Sequence, residues 1–250
     1  MKIFFIGAGP GAPDLITVRG LAILRACQVC IYAGSLVSKE HLAALPQNAE
    51  VHNSAKMSLD EIGAVFLAAK ERNVDVARLH TGDPTIYGAI GEQISFCVEN
   101  GIDCEVIPGV SSFTAAAGVL KQELTLPGVS QTVILTRCEG KTPVPELEKL
   151  EFLARSQSSM CIFLSAGLID SVVRSLSVHY PSSTPVTVIS RVTWPDQHIV
   201  SGDLSTIAGI LKNEGIRKTA MILVGRFLLN KGNMSRLYDA SFTTEYRQGE

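Results

Sequence analysis

Short apolar runs alternate with stretches of helical period along most of the chain. Residues 2–7 form an apolar run that closes on Gly7 and read as a buried strand. Val18, Leu21, Ile23 and Leu24 give residues 16–26 the spacing of a helix face, and 29–32 follow as a second strand. Ser58-Leu59-Asp60-Glu61 is a capping box, in which the Ser oxygen and the Glu carboxylate satisfy free amides at a helix start. It opens a helix to about residue 73, on which Ile62, Val65, Phe66 and Ala69 recur at helical spacing. A strand at 74–79, a helix at 87–99, a strand at 104–107 and a small-residue helix at 112–120 come next. The pattern weakens at 122–130, around Pro127-Gly128. It resumes as strand 132–136, helix 146–155, strand 160–164, helix 168–178, strands 186–190 and 198–201, helix 204–212 and strand 220–224. From residue 230 the chain is polar with little period. Strands alternating with helices predict an α/β protein with mainly parallel or mixed sheets covered by helices. The break predicts two α/β lobes, 1–121 and 122–250.

Composition narrows the function classes. With 46% hydrophobic and 18% charged residues the chain can bury a sizeable core. Its 22 basic and 24 acidic residues give a net charge of -2, which argues against a general nucleic-acid binder, since such a protein needs a basic excess to neutralise phosphates. A small anionic substrate needs only a few local Arg and Lys residues. No apolar run reaches the length of a membrane span, and the N-terminal run is too short for a secretory leader, so a cytoplasmic protein is expected. Cys27 and Cys30 form a lone C-x-x-C without a second pair or histidines at ligand spacing. Buried thiols are the expected reading, and no metal site is assigned.

The candidate chemistry lies where strands end. The first ends in Gly7-Ala8-Gly9-Pro10-Gly11-Ala12-Pro13, which fits the spacing of a dinucleotide fingerprint. Against an NAD(P)-dependent oxidoreductase, Pro10 and Pro13 lack amide donors, and the second strand ends in Tyr32-Ala33-Gly34 with no acid for a ribose. What survives is close approach of backbone to some ligand, or simply a tight turn. The strand at 74–79 leads into His80-Thr81-Gly82-Asp83-Pro84-Thr85-Ile86-Tyr87-Gly88. Asp83 suits a ribose or an amine, and equally suits capping the next helix. A lone histidine such as His80 is more often structural than a ligand contact. The next strand ends in Pro108-Gly109-Val110-Ser111-Ser112, whose hydroxyls and amides open a helix and suit a small anion or polar ligand; ordinary Ser capping is the plainer reading. Three such loops on one edge of a parallel sheet mark the place where α/β folds bind ligands. In the second half, a proline-braced loop carries Arg137 and Lys141, and Arg191 stands near Trp194, the only tryptophan. Guanidinium groups with a flat ring suit a large planar polyacid, although ordinary surface ion pairs are commoner.

These loops, in this order, resemble those of the tetrapyrrole (corrin/porphyrin) methylase family. Ile6-Gly7-Ala8-Gly9-Pro10-Gly11 with Asp14-Leu15-Ile16-Thr17, Thr81-Gly82-Asp83-Pro84 with Tyr87-Gly88, and Pro108-Gly109-Val110-Ser111-Ser112 look like three of its motifs. Tyr32-Ala33-Gly34-Ser35-Leu36, Glu123-Leu124-Thr125-Leu126-Pro127, Gln131-Thr132 through Thr136-Arg137, and Thr193-Trp194-Pro195-Asp196 look like its precorrin-4 C(11)-methyltransferase subgroup. The Lys141-Thr142-Pro143-Val144-Pro145 loop and the tail Ser235-Arg236-Leu237-Tyr238 through Glu245-Tyr246-Arg247 look more like the anaerobic members, which act on the cobalt complex, than like the aerobic, metal-free ones. The resemblance implies two α/β lobes with S-adenosylmethionine between them, S-adenosylhomocysteine as product, a tetrapyrrole substrate on the way to cobalamin, and a homodimer. It implies cofactor contacts at Pro10, Gly82, Asp83, Ile86, Ser111, Ser112, Leu164 and Ala220. Substrate contacts are expected at Arg137, Lys141 and Arg191, with His80 and Tyr87. No catalytic acid or base is named. Rival readings are another precorrin methyltransferase, the oxidoreductase above, and a tetrapyrrole carrier, which would have no use for a cofactor site.

Overall fold

A computed structural model describes residues 1–229, 231–233, 235 and 239–248. Arg236, Leu237 and Tyr238 of the tail signature lie outside them. The chain forms two compact units, Met1–Ala115 with Thr193–Pro195, and Ala116–Val192 with Asp196–Glu250. Both are α/β.

The first unit runs β1 (Lys2–Gly7), α1 (Val18–Ala26), β2 (Val29–Tyr32), α2 (Lys39–Ala43), β3 (Glu50–Asn53), α3 (Leu59–Glu71), β4 (Val76–His80), α4 (Gly91–Glu99), β5 (Asp103–Ile107) and the start of α5 (Ser112–Leu120). Its sheet has the order β3-β2-β4-β1-β5, and all pairings are parallel. A parallel sheet is covered on both faces, which is why β1 reads as an apolar run from Ile3 to Ile6 and β4 is buried throughout, its Arg78 and His80 included. Ile3, Phe5, Val29, Ile31 and Val76 pack with Ile62, Phe66 and Ala69 of α3 on one face. Ile6, Cys30, Ala77 and Leu79 pack with Leu24 of α1 on the other. The capping box forms as expected: Glu61 N–H donates to Ser58 Oγ at 3.2 Å and Ser58 N–H to Glu61 Oε2 at 2.6 Å.

The second unit continues with β6 (Val133–Arg137), α6 (Leu150–Leu153), β7 (Ser159–Phe163), α7 (Ile169–Leu176), β8 (Pro185–Ser190), β9 (His198–Asp203), α8 (Ile207–Asn213) and β10 (Ala220–Val224). Its sheet is mixed, in the order β6-β7-β10-β8-β9: β6 and β7 are parallel, the other pairs antiparallel. Met160, Ile162, Val186, Val188, Ile222 and Val224 build its core with Ile169, Val172 and Leu176 of α7 and Ile207 and Leu211 of α8.

Three expectations are corrected. The helix at 87–99 begins at Gly91 instead, because Tyr87 and Ala89 sit at φ of 54° and 49°, a left-handed backbone that cannot continue a helix. The helix at 146–155 is a short α-helical turn, α6, between two 3-10 turns. β3 escapes the pattern because it is an edge strand with a largely exposed, polar sequence.

Both cysteines of the C-x-x-C are buried, and burial pushes each thiol up to about 12, so neither is a thiolate at neutral pH. Among the described residues no helix is long and apolar enough to cross a membrane.

Candidate active site

In the first unit β4, β1 and β5 are neighbours and parallel, so their carboxyl ends, Gly7, His80 and Ile107, bring three loops to one edge of the sheet. The loops meet through backbone. Gly82 N–H donates to Gly9 O at 2.7 Å, Gly9 N–H to Gly82 O at 3.3 Å, and Ala8 N–H to His80 O at 2.8 Å. A β-carbon on Gly7 or Gly109 would overlap the other's backbone and the Gly82 carbonyl. These glycines are therefore required by close approach of three chains. Gly82 (φ 63°) lies against the Ser111-Ser112 turn, where a β-carbon would stand 3.7 Å from Ser111 Cα.

Asp83 fastens the second loop to the third. Its Oδ1 accepts from Thr85 N–H at 2.8 Å and from Thr85 Oγ1 at 2.6 Å, and its Oδ2 accepts from Gly109 N–H at 2.9 Å. It does not cap α4, whose N-cap is Ile90. Ile86 N–H donates to Asp83 O at 3.2 Å, and Tyr87 is half exposed beside it. Pro10, Gly82, Asp83, Ile86, Tyr87, Ser111 and Ser112 thus share one edge.

His80 is placed differently from a substrate contact. It is 4% exposed, its ring lies 6.0 Å from that of Phe5, and its Nε2 has no partner among the described residues. Burial, helped by the cation of Arg78, pulls its pKa down to about 3, so the imidazole is neutral. Arg78 is a residue that the sequence reading missed. It is buried, donating Nε–H to Gln93 Oε1 at 3.0 Å and Nη1–H to the carbonyls of Leu79 at 3.4 Å and Ile31 at 3.5 Å. Its period-2 spacing from His80 was the available signal.

The neutral His80 has a consequence for acid stability. The unfolded chain takes a proton near pH 6.5, while the native state resists until about pH 3. Above 6.5 the group contributes nothing. Between those values the unfolded state binds more protons, so stability falls with falling pH by up to about 1.4 kcal/mol per unit. We expect His80→Leu to flatten the acid limb of a urea-unfolding series between pH 6.5 and 4; identical limbs in the two proteins would contradict a buried neutral imidazole.

The edge of the second sheet collects the remaining candidates. Because β10 runs antiparallel to β7 and β8, its start lies level with their ends. Ile222 opposite Ile162 sets Ala220 level with Leu164. Leu164 is 72% exposed at φ 54°. An apolar, β-carbon-bearing residue held at positive φ and open to solvent is a strained feature of the kind found at ligand sites. The end of β6 is tied to the end of β7 by Ser165, whose hydroxyl accepts from Cys138 N–H at 2.8 Å and donates to Phe163 O at 2.6 Å. Arg137 donates to Thr142 O at 3.2 Å and Pro143 O at 2.6 Å, bracing its own loop. A cavity of about 340 Å³ opens here, with Arg137, Lys141, Leu164 and Arg217 in its wall. Arg191 is not in that wall. Its Nε–H donates to Asp196 Oδ1 at 2.6 Å, and this contact holds the Asp196 carboxyl below its usual range.

Trp194 belongs to the glycine loop. The segment Thr193–Pro195 groups with the first unit, where Trp194 Nε1–H donates to Pro10 O at 3.0 Å and Thr193 Oγ1 accepts from Ala12 N–H at 2.9 Å. The indole edge covers Gly11 so closely that a β-carbon there would collide with it. The residue expected to stack on a macrocycle thus straps Pro10 through its ring edge.

The chain is similar to known proteins over most of its length. The model of the tetrapyrrole (corrin/porphyrin) methylases matches residues 2–208. Over 249 residues the chain is 52% identical to a cobalt-precorrin-4 C(11)-methyltransferase of Methanocaldococcus jannaschii, spanning 99% of this chain and 96% of that one. It is 46% identical over 251 residues to a precorrin-4 C(11)-methyltransferase of Pseudomonas aeruginosa, over the full length of both. The X-ray structure of a cobalt-precorrin-4 methyltransferase, a cobalamin biosynthetic enzyme, is 45% identical with a TM-score of 0.89, covering 91% of this chain and 95% of its own. With a family model that spans most of its length and relatives near half identity from end to end, the chain belongs to the tetrapyrrole (corrin/porphyrin) methylases.

Proposed function

We propose that this methyltransferase moves the methyl group of S-adenosylmethionine to carbon 11 of precorrin-4, in its cobalt form, on the way to cobalamin. The observation that carries the reading is end-to-end likeness to enzymes named for that reaction, at 52% identity for the cobalt enzyme. Relatives named for the metal-free substrate stand at 42–46%, and a second one named for the cobalt substrate at 45%, so identity alone does not separate the two forms. The cobalt form is favoured by the Lys141-Thr142-Pro143-Val144-Pro145 loop, which resembles the anaerobic members.

The first unit's edge fits an adenosyl ligand. The glycines at 7, 82 and 109 let the three loops pack against one another, which brings the polar groups of Asp83, Ser111 and Ser112 to one edge of the sheet. We assign Pro10, Gly82, Asp83, Ile86, Ser111 and Ser112 to that ligand. In the second unit Leu164 and Ala220 are the cofactor candidates, and Arg137, Lys141 and Arg191 the substrate candidates. When bound, the sulfonium supplies an electrophilic methyl group. Alkylating a fully substituted ring carbon releases no proton there, so the protein has no need of a general base at that carbon. Its residues are left to orient the reactants and exclude water, effects that can lower a barrier by roughly 7–11 kcal/mol.

The test is anaerobic incubation with S-adenosylmethionine and either cobalt-precorrin-4 or metal-free precorrin-4, followed by product mass. We expect a gain of one methyl group on the cobalt form. Transfer to the metal-free form alone would move the enzyme to the aerobic reaction, and transfer to neither would remove this substrate.

A further inference from the structure

Among the basic residues in the wall of the second unit's cavity, Arg217 has no role so far. Its position follows from the chain around it. α8 ends at Asn213, and Gly215 at φ 67° turns the chain, with Ile216 N–H donating back to Leu211 O at 3.1 Å. Ile216 anchors in the core, and β10 begins at Ala220. Arg217 is held between these two fixed points. Its carbonyl lies against Gly167, where a β-carbon would stand 3.0 Å away. The antiparallel run of β10 against β7 brings this turn to the end where β6 and β7 finish, and so to Lys141 and Arg137.

The charges of this wall are not cancelled. Among the described residues neither Lys141 nor Arg217 makes an ion pair or a hydrogen bond. Glu146 pairs with Lys149 at 2.5 Å, Glu214 faces His198 at 3.2 Å and Asp170 pairs with Lys212 at 2.7 Å; Glu139 keeps its charge, accepting from Val144 N–H at 3.4 Å, and among the described residues it forms no ion pair with Lys141 or Arg217. Arg137 already gives two donors to its own loop. The wall therefore presents the ammonium of Lys141 and the guanidinium of Arg217, alongside Arg137, to a space of about 340 Å³.

We propose that Lys141 and Arg217 form a subsite for the carboxylate arms of the tetrapyrrole, with Arg217 as a specificity-determining residue. The proposal rests on the methyltransferase reading above for the identity of the polyacid. The alternative source of a carboxylate is the methionyl end of S-adenosylmethionine. That molecule carries a sulfonium and an ammonium against one carboxylate, so its net charge is positive and a basic wall repels it. A macrocycle bearing several carboxylates has the opposite balance and gains from both cations, through charge-assisted hydrogen bonds that Arg can make in pairs.

The experiment uses two probes on the whole protein. Uroporphyrin, an octacarboxylate macrocycle, is titrated by fluorescence, and S-adenosylhomocysteine by calorimetry. We expect Arg217→Gln and Lys141→Gln each to weaken uroporphyrin about tenfold or more while S-adenosylhomocysteine stays within about twofold. Arg217→Lys, which keeps the charge, should recover most of the loss. Loss of S-adenosylhomocysteine with uroporphyrin unchanged would hand the cavity to the cofactor and overturn the proposal, as would no change in either. If the wild type binds uroporphyrin through Arg217 yet methylates neither form of precorrin-4, the subsite stands and the substrate assignment falls.

Discussion

Asp83→Ala should weaken S-adenosylhomocysteine roughly 10- to 100-fold while leaving both cores intact. The carboxylate accepts three hydrogen bonds, two from Thr85 and one from Gly109, and so fixes the Gly82 turn against the third loop. The two bonds from Thr85 are exposed, so water replaces them at little net cost, and the part-buried bond from Gly109 contributes about 1.5–3 kcal/mol. Losing them frees two loops whose close approach defines the edge we assign to the cofactor. The cores under the sheet do not include Asp83, so only a modest fall in melting temperature is expected, about 2–4 °C for each kcal/mol lost in a chain of this size. Asp83→Asn sharpens the test. One amide oxygen can replace one carboxylate oxygen, but the NH2 then faces either Thr85 or Gly109, donor against donor. Its affinity should fall between those of wild type and alanine. Calorimetry returning wild-type affinity for Asp83→Ala would take the cofactor away from this edge.

The sequence carried much of this edge because glycines, prolines and an Asp packed into short loops report backbone needs that are local. Gly7, Gly82 and Gly109 stand where three loops touch, and strand–helix alternation foretells the parallel pairing of the first sheet, though not the antiparallel pairs of the second. Features set by distant chain were less legible. Asp83 read equally as a helix cap or a ligand contact, and its bond to Gly109 depends on which strands become neighbours. His80 read as a possible substrate contact, with a structural role the commoner reading, and its two-residue spacing from Arg78 turns both into the α3–α4 face, where burial keeps the imidazole neutral. The helix expected from residue 87 starts late because Tyr87 and Ala89 adopt a backbone that their side chains do not favour, which no propensity foretells. Arg191 and Trp194 looked like a pair, but the first is bound to Asp196 and the second to Pro10.

Trp194 carries the second large effect, because it acts on the glycine loop from far along the chain. Trp194→Ala removes the hydrogen bond to Pro10 O and the ring that covers Gly11, and should cost roughly 2–3 kcal/mol, less than a fully buried tryptophan because the residue is only partly buried. Trp194→Phe keeps most of the ring and loses the bond alone, about 1 kcal/mol. Gly11→Ala reaches the same contact from the other side: its methyl group would collide with the indole and with Thr193 Oγ1, so the strap must lift. The two changes should not add. Once the indole is gone the methyl group at residue 11 still meets Thr193 Oγ1 at 2.9 Å but no longer the ring, and the double variant should be more stable than the sum of the single losses by about 1 kcal/mol or more. Both single variants should also bind S-adenosylhomocysteine more weakly, since Pro10 is among the residues we assign to it. Strict additivity in urea unfolding would mean that the indole does not rest on Gly11. Coupling without any change in affinity would leave the strap a stabilising clasp and remove Pro10 from the cofactor site.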